Sequence, residues 1–259
     1  MATKASAALS LEGRVALVSG SSQGIGAAIA RELSSRGAVL VLNYPYPSEL
    51  PSAEAVRNSL PTEAIAVEAD MSTVDGPAAL VRAAVSKFGR IDIVVNNAGV
   101  SDQMKLGDIT AERWAAIFNL NARGPMLLTQ AALPHLSRGR SRIVNIVSPT
   151  ARDPRPEWTL YGGSKGALES MTRCWARELP REYGCTVNAV APGPVGGPAI
   201  DRAPEELKRA LAEFTKTTPV APRFTQAAEV AWAVAMLCEE EASWINGDTV
   251  NVSGGLHML

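Results

Sequence analysis

Cysteine and histidine are scarce in this chain: 259 residues contain three cysteines, Cys174, Cys185 and Cys238, and two histidines, His135 and His257. With no CxxC spacing and no clustered His/Cys set, the sequence argues against a disulfide scaffold or a zinc site and for a reducing, cytoplasmic setting. A surplus of charge is also missing, since 25 Lys and Arg face 26 Asp and Glu. That balance argues against nucleic acid as a partner, and 46% apolar content argues against disorder. The longest uncharged run, Tyr183 to Ile200, contains Pro192, Pro194 and Pro198, so it cannot be a continuous membrane helix. The first ten residues lack an apolar stretch of signal-peptide length and read as a flexible arm over residues 1–10. Residues 11–259 read as a single domain, long enough to bury roughly three quarters of its unfolded surface.

What is present is an alternation of short β-branched runs with longer segments of helical period, the pattern of right-handed βαβ units. The runs are Val15 to Ser19, Ala38 to Asn43, Ile65 to Ala69, Ile91 to Val95, Ile143 to Val147, Thr186 to Val190 and Thr249 to Val252. Most are apolar on both faces, as strands are when helices cover both sides of a sheet. Between them, sets such as Leu168, Met171, Trp175 and Leu179 recur at three-to-four spacing. The expected architecture is α/β, a Rossmann-like, doubly wound, seven-stranded parallel sheet with helices on both faces. The tryptophans Trp114, Trp175 and Trp232 share that helical spacing and are assigned to core or interface.

The first strand runs into Ser19-Gly20-Ser21-Ser22-Gln23-Gly24-Ile25-Gly26, and a helix follows. Its glycines suit a tight turn, backbone approach to a pyrophosphate and close helix packing. The helix N-terminus adds free N–H donors and the positive end of a dipole, worth up to ~2 kcal/mol toward an anion. In NAD sites a carboxylate closing the second strand binds the adenosine ribose. Here that strand ends Leu42-Asn43-Tyr44-Pro45, and the first acid, Glu49, lies beyond two prolines. Its absence permits a 2′-phosphate and favours NADP, with Ser21, Ser22, Asn43 and Tyr44 as donors. No Lys or Arg stands at Gln23 or Pro45 to receive that phosphate. Asp70, followed by Met71, is read either as an acceptor for the adenine amino group or as a turn cap.

Taken with the glycine turn, Asn96-Asn97-Ala98-Gly99, Tyr161-Gly162-Gly163-Ser164-Lys165 and Pro192-Gly193 give the whole chain a resemblance to the short-chain dehydrogenase/reductase family in its single-domain form. Phe118-Asn119-Leu120-Asn121-Ala122-Arg123-Gly124 and Ser243-Trp244-Ile245-Asn246-Gly247 resemble its branch of NADPH-dependent ketone and naphthol reductases of fungal polyketide pathways. The resemblance implies hydride transfer between nicotinamide and a ketone, secondary alcohol or imine in secondary metabolism. It makes Tyr161 the acid/base and Lys165 its electrostatic partner, one helical turn away. An ammonium at ~4 Å, at an effective dielectric of ~20, supplies the ~3 to 4 kcal/mol needed to bring a phenol toward neutrality. Ser148, thirteen residues before Tyr161, would bind the substrate oxygen. Asn121, favoured over Asn119 by the glycine three places on, would hold a water linking Lys165 to solvent.

The resemblance also places Asn97, Ala98 and Gly99 against the cofactor ribose and Pro192, Gly193 and Val195 beside the nicotinamide. Gly197 replaces a threonine frequent in the family, which leaves the carboxamide without that contact. Arg152, Arg155 and Trp158 fall on the wall of the substrate pocket or in a solvated loop. His257 reads as a surface residue or one reaching a neighbouring subunit, and the implied assembly is a homotetramer. The competing function is a dinucleotide-binding module without turnover, a sensor or a scaffold for a cyclisation. An isomerase or dehydratase on an extended version of the fold would be expected to carry a further C-terminal substrate domain.

Overall fold

The protein is described from a computed structural model over residues 10–258. The arm expected over residues 1–10 lies outside the described residues except for Ser10, whose hydroxyl donates to Glu239 Oε1 at 3.0 Å. Seven strands, β1 Val15–Val18, β2 Val39–Tyr44, β3 Ala64–Glu68, β4 Ile93–Asn96, β5 Ser141–Ile146, β6 Cys185–Pro192 and β7 Thr249–Val252, form one parallel sheet in the order β3-β2-β1-β4-β5-β6-β7. The helices are α1 Gly24–Ser35, α2 Leu50–Asn58, α3 Gly76–Phe88, α4 Ala111–Phe118 and α5 Gly124–Ala132. They continue as α6 Thr159–Glu178, α7 Pro180–Tyr183, α8 Pro198–Asp201, α9 Glu205–Thr215 and α10 Ala227–Cys238.

Strand alternation sorts the core into two layers. Ala16, Val18, Leu40, Leu42, Ile93 and Val95 face Ile29 and Leu33 of α1 and Val230, Val234 and Leu237 of α10. Val15, Leu17, Val41, Val94 and Ile143 face the opposite way, against Leu80 and Ala84 of α3, Leu128 of α5 and Ala176 of α6. Both faces are therefore covered, which is why the strand runs read as continuously apolar. Strand ends differ from the sequence expectation by at most two residues, and β7 matches it. The two-residue shifts are at β4, where Ile91 makes only an isolated bridge to Leu136, at β5, which begins at Ser141, and at β6, which continues to Pro192.

Order reverses between β1 and β4, since β1 runs next to β2 on one side and to β4 on the other. In such sheets the crevice outside the strand C-termini at the reversal binds ligands. Here it is framed by the β1–α1 turn, the β4 and β5 ends, and the segment from Pro192 through α9. The region after β4 departs from a single long helix: α4 and α5 are separated by a π-turn, Asn119–Arg123, a widened turn of the kind that accompanies functional sites. Trp114 and Trp232 are 50% and 58% exposed, so neither belongs to the core of this chain, whereas Trp175 packs against it. Among the described residues no helix is long and apolar enough to cross a membrane.

Candidate active site

The glycine turn is braced from beneath. Asn43 is 1% exposed; its Oδ1 accepts from Gly20 N at 2.9 Å, while its Nδ2 donates to Ala69 O at 2.9 Å. It is a strut, which corrects its assignment as a phosphate donor. Ser21 is equally committed, its hydroxyl donating to Val18 O and accepting from Asn43 N. The buried Tyr44 pairs with Glu68 in the β2–β3 ladder. Asn97 Nδ2 donates to Ser19 O and Gly20 O, each at 2.9 Å, fastening the β4 end to the turn. Gly26 is required by close approach, since a Cβ there would lie 2.3 Å from Gly20 O and 2.5 Å from Asn97 Nδ2.

The turn fits the phosphates of a dinucleotide. The α1 N-terminus has no side-chain cap and no acid in its first turn, and Gly24 opens onto empty space where a side chain would otherwise stand. Ile25 is partly buried and packs against the core. Asp70 Oδ1 accepts from Ser72 N and Oγ at 2.8 Å each, so this carboxylate oxygen is a turn cap. Met71 is 3% exposed and its side chain belongs to the core. Glu49, expected to be remote beyond two prolines, lies against the glycine turn. A short turn at Pro47–Glu49 folds it back so that Oε2 accepts from Ser22 Oγ at 3.1 Å and Gln23 Nε2 at 3.5 Å.

At the other end of the crevice, Ser148, Tyr161, Lys165 and Asn121 converge. Ser148 closes the β5 segment; its Oγ accepts from Thr150 N at 3.2 Å, capping a short turn, and hydrogen-bonds the Tyr161 phenol. Asn121, fully buried by the π-turn, accepts from Val100 N on Oδ1 and donates from Nδ2 to Val100 O at 2.8 Å and Ser164 Oγ at 3.0 Å. Lys165 Nζ donates to the Ile146 carbonyl at 2.7 Å. A Cβ on Gly99 would stand 3.1 Å from Asn121 Oδ1 and 3.2 Å from Lys165 Nζ, so Gly99 leaves the space in which those groups meet.

Burial dominates the electrostatics. It pushes the Tyr161 phenol above its ordinary value, opposed by the Ser148 hydrogen bond, and pushes Lys165 down to about 8. The amine lies 6.0 Å from the Tyr161 ring centroid and donates its hydrogen bond to the β5 backbone.

Gly193 is pinned by its N–H to Val252 O at 2.9 Å, and Val195 bridges to Thr225, holding the backbone that follows Pro192. Gly197 adopts φ 121° at the start of α8. Around the crevice, Trp158 meets Tyr161 edge-on at 5.5 Å, Arg155 stacks on Phe214 of α9, and Arg152 pairs with the buried Glu169. His257 does not sit free on the surface: Nδ1 is 2.8 Å from Asp153 Oδ2 in the same chain. Sequence reasoning missed Thr150, Glu49, Arg202 and a buried chain from Asn96 Nδ2 to Asn145 Oδ1 and from Asn145 Nδ2 to Thr172 Oγ1. Asn145 had one visible signal, a polar residue inside an apolar strand run.

A nucleotide crevice at a sheet reversal, with a half-buried phenol and a buried amine at one end, defines a dinucleotide-dependent enzyme. Comparison with known proteins agrees. Residues 20–257 match the family model described as enoyl-(acyl carrier protein) reductase. The short-chain dehydrogenase/reductase FrzI of Cladobotryum sp. is 45% identical over 252 residues, 95% of this chain and 97% of the relative. The hydroxynaphthalene reductase arp2 of Aspergillus fumigatus is 36% identical, with coverage of 93% and 91%. The crystal structure of the angucycline C-6 ketoreductase LanV with bound NADP aligns with TM-score 0.86 at 32% identity, covering 95% of this chain and 96% of that one. The chain belongs to the short-chain dehydrogenase/reductase family. It is an NAD(P)-dependent oxidoreductase of that family, related to fungal ketone and naphthol reductases.

Proposed function

We propose that the protein interconverts a ketone and its secondary alcohol with NADP as cofactor, Tyr161 acting as general acid and base. The observation that carries this reading is the convergence of Ser148, Tyr161, Lys165 and Asn121 at the C-terminal edge of the sheet. A nicotinamide dinucleotide bound along the crevice supplies the hydride. Gly20, Ser22, Gln23, Gly24, Ile25 and Gly26 line its phosphate end, and Asn97, Ala98, Gly99, Pro192, Gly193 and Val195 frame the end near Tyr161.

On this reading the Ser148 hydroxyl donates to the substrate oxygen as negative charge develops there, and the Tyr161 phenol delivers the proton. Lys165 stabilises the phenolate that remains. Asn121 orients the backbone at Val100 and, through Ser164, the first turns of α6, which carry both Tyr161 and Lys165. A pure binding module has no use for such a set, which speaks against the non-redox alternative. LanV, solved with NADP, and the hydroxynaphthalene reductase support the cofactor and carbonyl assignments, and secondary metabolism as the setting. Exposed apolar side chains on α4 and α10, Trp114 and Trp232, support assembly as a homotetramer. The cysteines, all unpaired, suit a reducing cytoplasm.

Tyr161→Phe tests the reading. Loss of the proton donor is expected to lower kcat by about 10²- to 10⁴-fold on a carbonyl panel while NADPH binding, followed by nicotinamide fluorescence, persists. Turnover within tenfold of the parent would overturn the assignment.

A further inference from the structure

Neither Gln23 in the glycine turn nor Pro45 after β2 offers a cation to a phosphorylated ribose. The fold brings one from far along the chain. Arg202, immediately after α8, reaches across the crevice and donates from Nη2 to Gln23 Oε1 at 2.9 Å. That is its one side-chain contact among the described residues, and it leaves most of the guanidinium fork free for an anion. On the other side of the same glutamine, Glu49 Oε2 accepts from Gln23 Nε2 and Ser22 Oγ. A cation and a carboxylate thus flank one pair of neutral polar residues in the glycine turn.

We propose that these two residues set the choice between phosphorylated and unphosphorylated dinucleotide. Arg202 is the cation for the 2′-phosphate, supplied by the segment that closes the crevice. Glu49 is the opposing determinant. As a carboxylate it accepts from the hydroxyls of an unphosphorylated ribose, but it repels a 2′-phosphate and occupies the Ser22 and Gln23 donors that the phosphate needs. NADP binding therefore requires Glu49 to leave Ser22 and Arg202 to turn its free N–H groups toward the phosphate. This rests on the dinucleotide reading above and adds to it the residues that discriminate between the two cofactors.

The test is the dissociation constant of NADPH and of NADH, each read by energy transfer from tryptophan to nicotinamide, for the parent, Arg202→Gln, Arg202→Lys and Glu49→Gln at fixed ionic strength. Arg202→Gln is expected to weaken NADPH about tenfold or more and to leave NADH within twofold, with Arg202→Lys recovering part of the loss. Glu49→Gln is expected to tighten NADPH and weaken NADH, each severalfold. Equal weakening of both cofactors by Arg202→Gln would move Arg202 to the pyrophosphate and overturn the inference. So would unchanged constants, or an unchanged NADPH to NADH ratio in Glu49→Gln. A parent that binds neither dinucleotide would overturn the functional reading itself, whereas a parent that binds, with indifferent variants, would overturn only the roles of Arg202 and Glu49.

Discussion

Lys165 is held at a cost that Lys165→Met should expose. The side chain is 4% exposed, its hydrogen bond goes to a neutral carbonyl, and no carboxylate lies within ion-pair distance among the described residues. Burial lowers it from 10.5 to about 8. Above pH 10.5 the amine is neutral in both the folded and unfolded chain and its charge costs nothing. As pH falls from 10.5 toward 8 the unfolded chain takes up a proton that the folded one does not, so stability declines. Below 8 the decline is complete. At about 1.4 kcal/mol per pH unit, the stability withheld at pH 7 comes to about 3 kcal/mol. Methionine keeps the aliphatic length without the charge and forfeits a hydrogen bond worth about 1 kcal/mol. The net gain expected at pH 7 is about 2 kcal/mol, or roughly 4 to 8 °C in melting temperature for a chain of this size. The assay is thermal and urea denaturation of cofactor-free protein from pH 6.5 to 10. The parent and variant should converge as pH rises above 8. A variant less stable than the parent at pH 7, or a difference that does not change with pH, would refute the reasoning.

Two further outcomes follow from burial and close approach. Gly26→Ala places a methyl group against the Gly20 carbonyl and Asn97 Nδ2, so it should cost about 1–3 kcal/mol in urea denaturation and weaken dinucleotide binding; unchanged fluorescence titration would contradict the packing of the turn. Burial pushes the Cys185 thiol up to about 11 and the Cys238 thiol up to about 12, whereas Cys174 is exposed. An aromatic disulfide reagent at pH 8 should therefore label one thiol rapidly in the native protein and three after denaturation, and a second fast thiol would refute that burial.

The features legible in the sequence were those whose determinants lie close together in the chain. Seven apolar runs announced the strands because both sheet faces are covered, and Tyr161 with Lys165 announced a shared helix face because four residues make about one turn. Strand-end donors were misread for the same reason: spacing does not say which way a side chain faces. Asn43 stands at the end of β2 as a ribose-binding residue would, yet its amide braces the glycine turn from below. Glu49 looked remote across two prolines, but the turn at Pro47–Glu49 returns it to Ser22. Arg202 and Gln23 are 179 residues apart, and no local pattern encodes their meeting. The π-turn at Asn119–Arg123, in which Asn121 is buried, was equally hidden, since no residue pattern in that stretch announces it.

Lys165 is buried and Tyr161 half-buried, and desolvation moves them in opposite directions, so their order of titration matters more than their spacing. With the phenol above its ordinary value and the amine at about 8, Lys165 sheds its charge before Tyr161 gains one, and the attraction that would make the phenol acidic is gone when it is needed. The order reverses only if Lys165 acquires acceptors beyond Ile146 O. Asn121 Oδ1 is already engaged by Val100 N, which leaves little within the chain itself. Sugar hydroxyls have the required chemistry, and Gly99, lacking a side chain, keeps the space beside Lys165 Nζ and Asn121 Oδ1 clear. The same charge that lowers resting stability thus becomes useful only when a polar ligand shares it. The acid/base function proposed for Tyr161 is accordingly expected of the loaded crevice and not of the tyrosine–lysine pair alone.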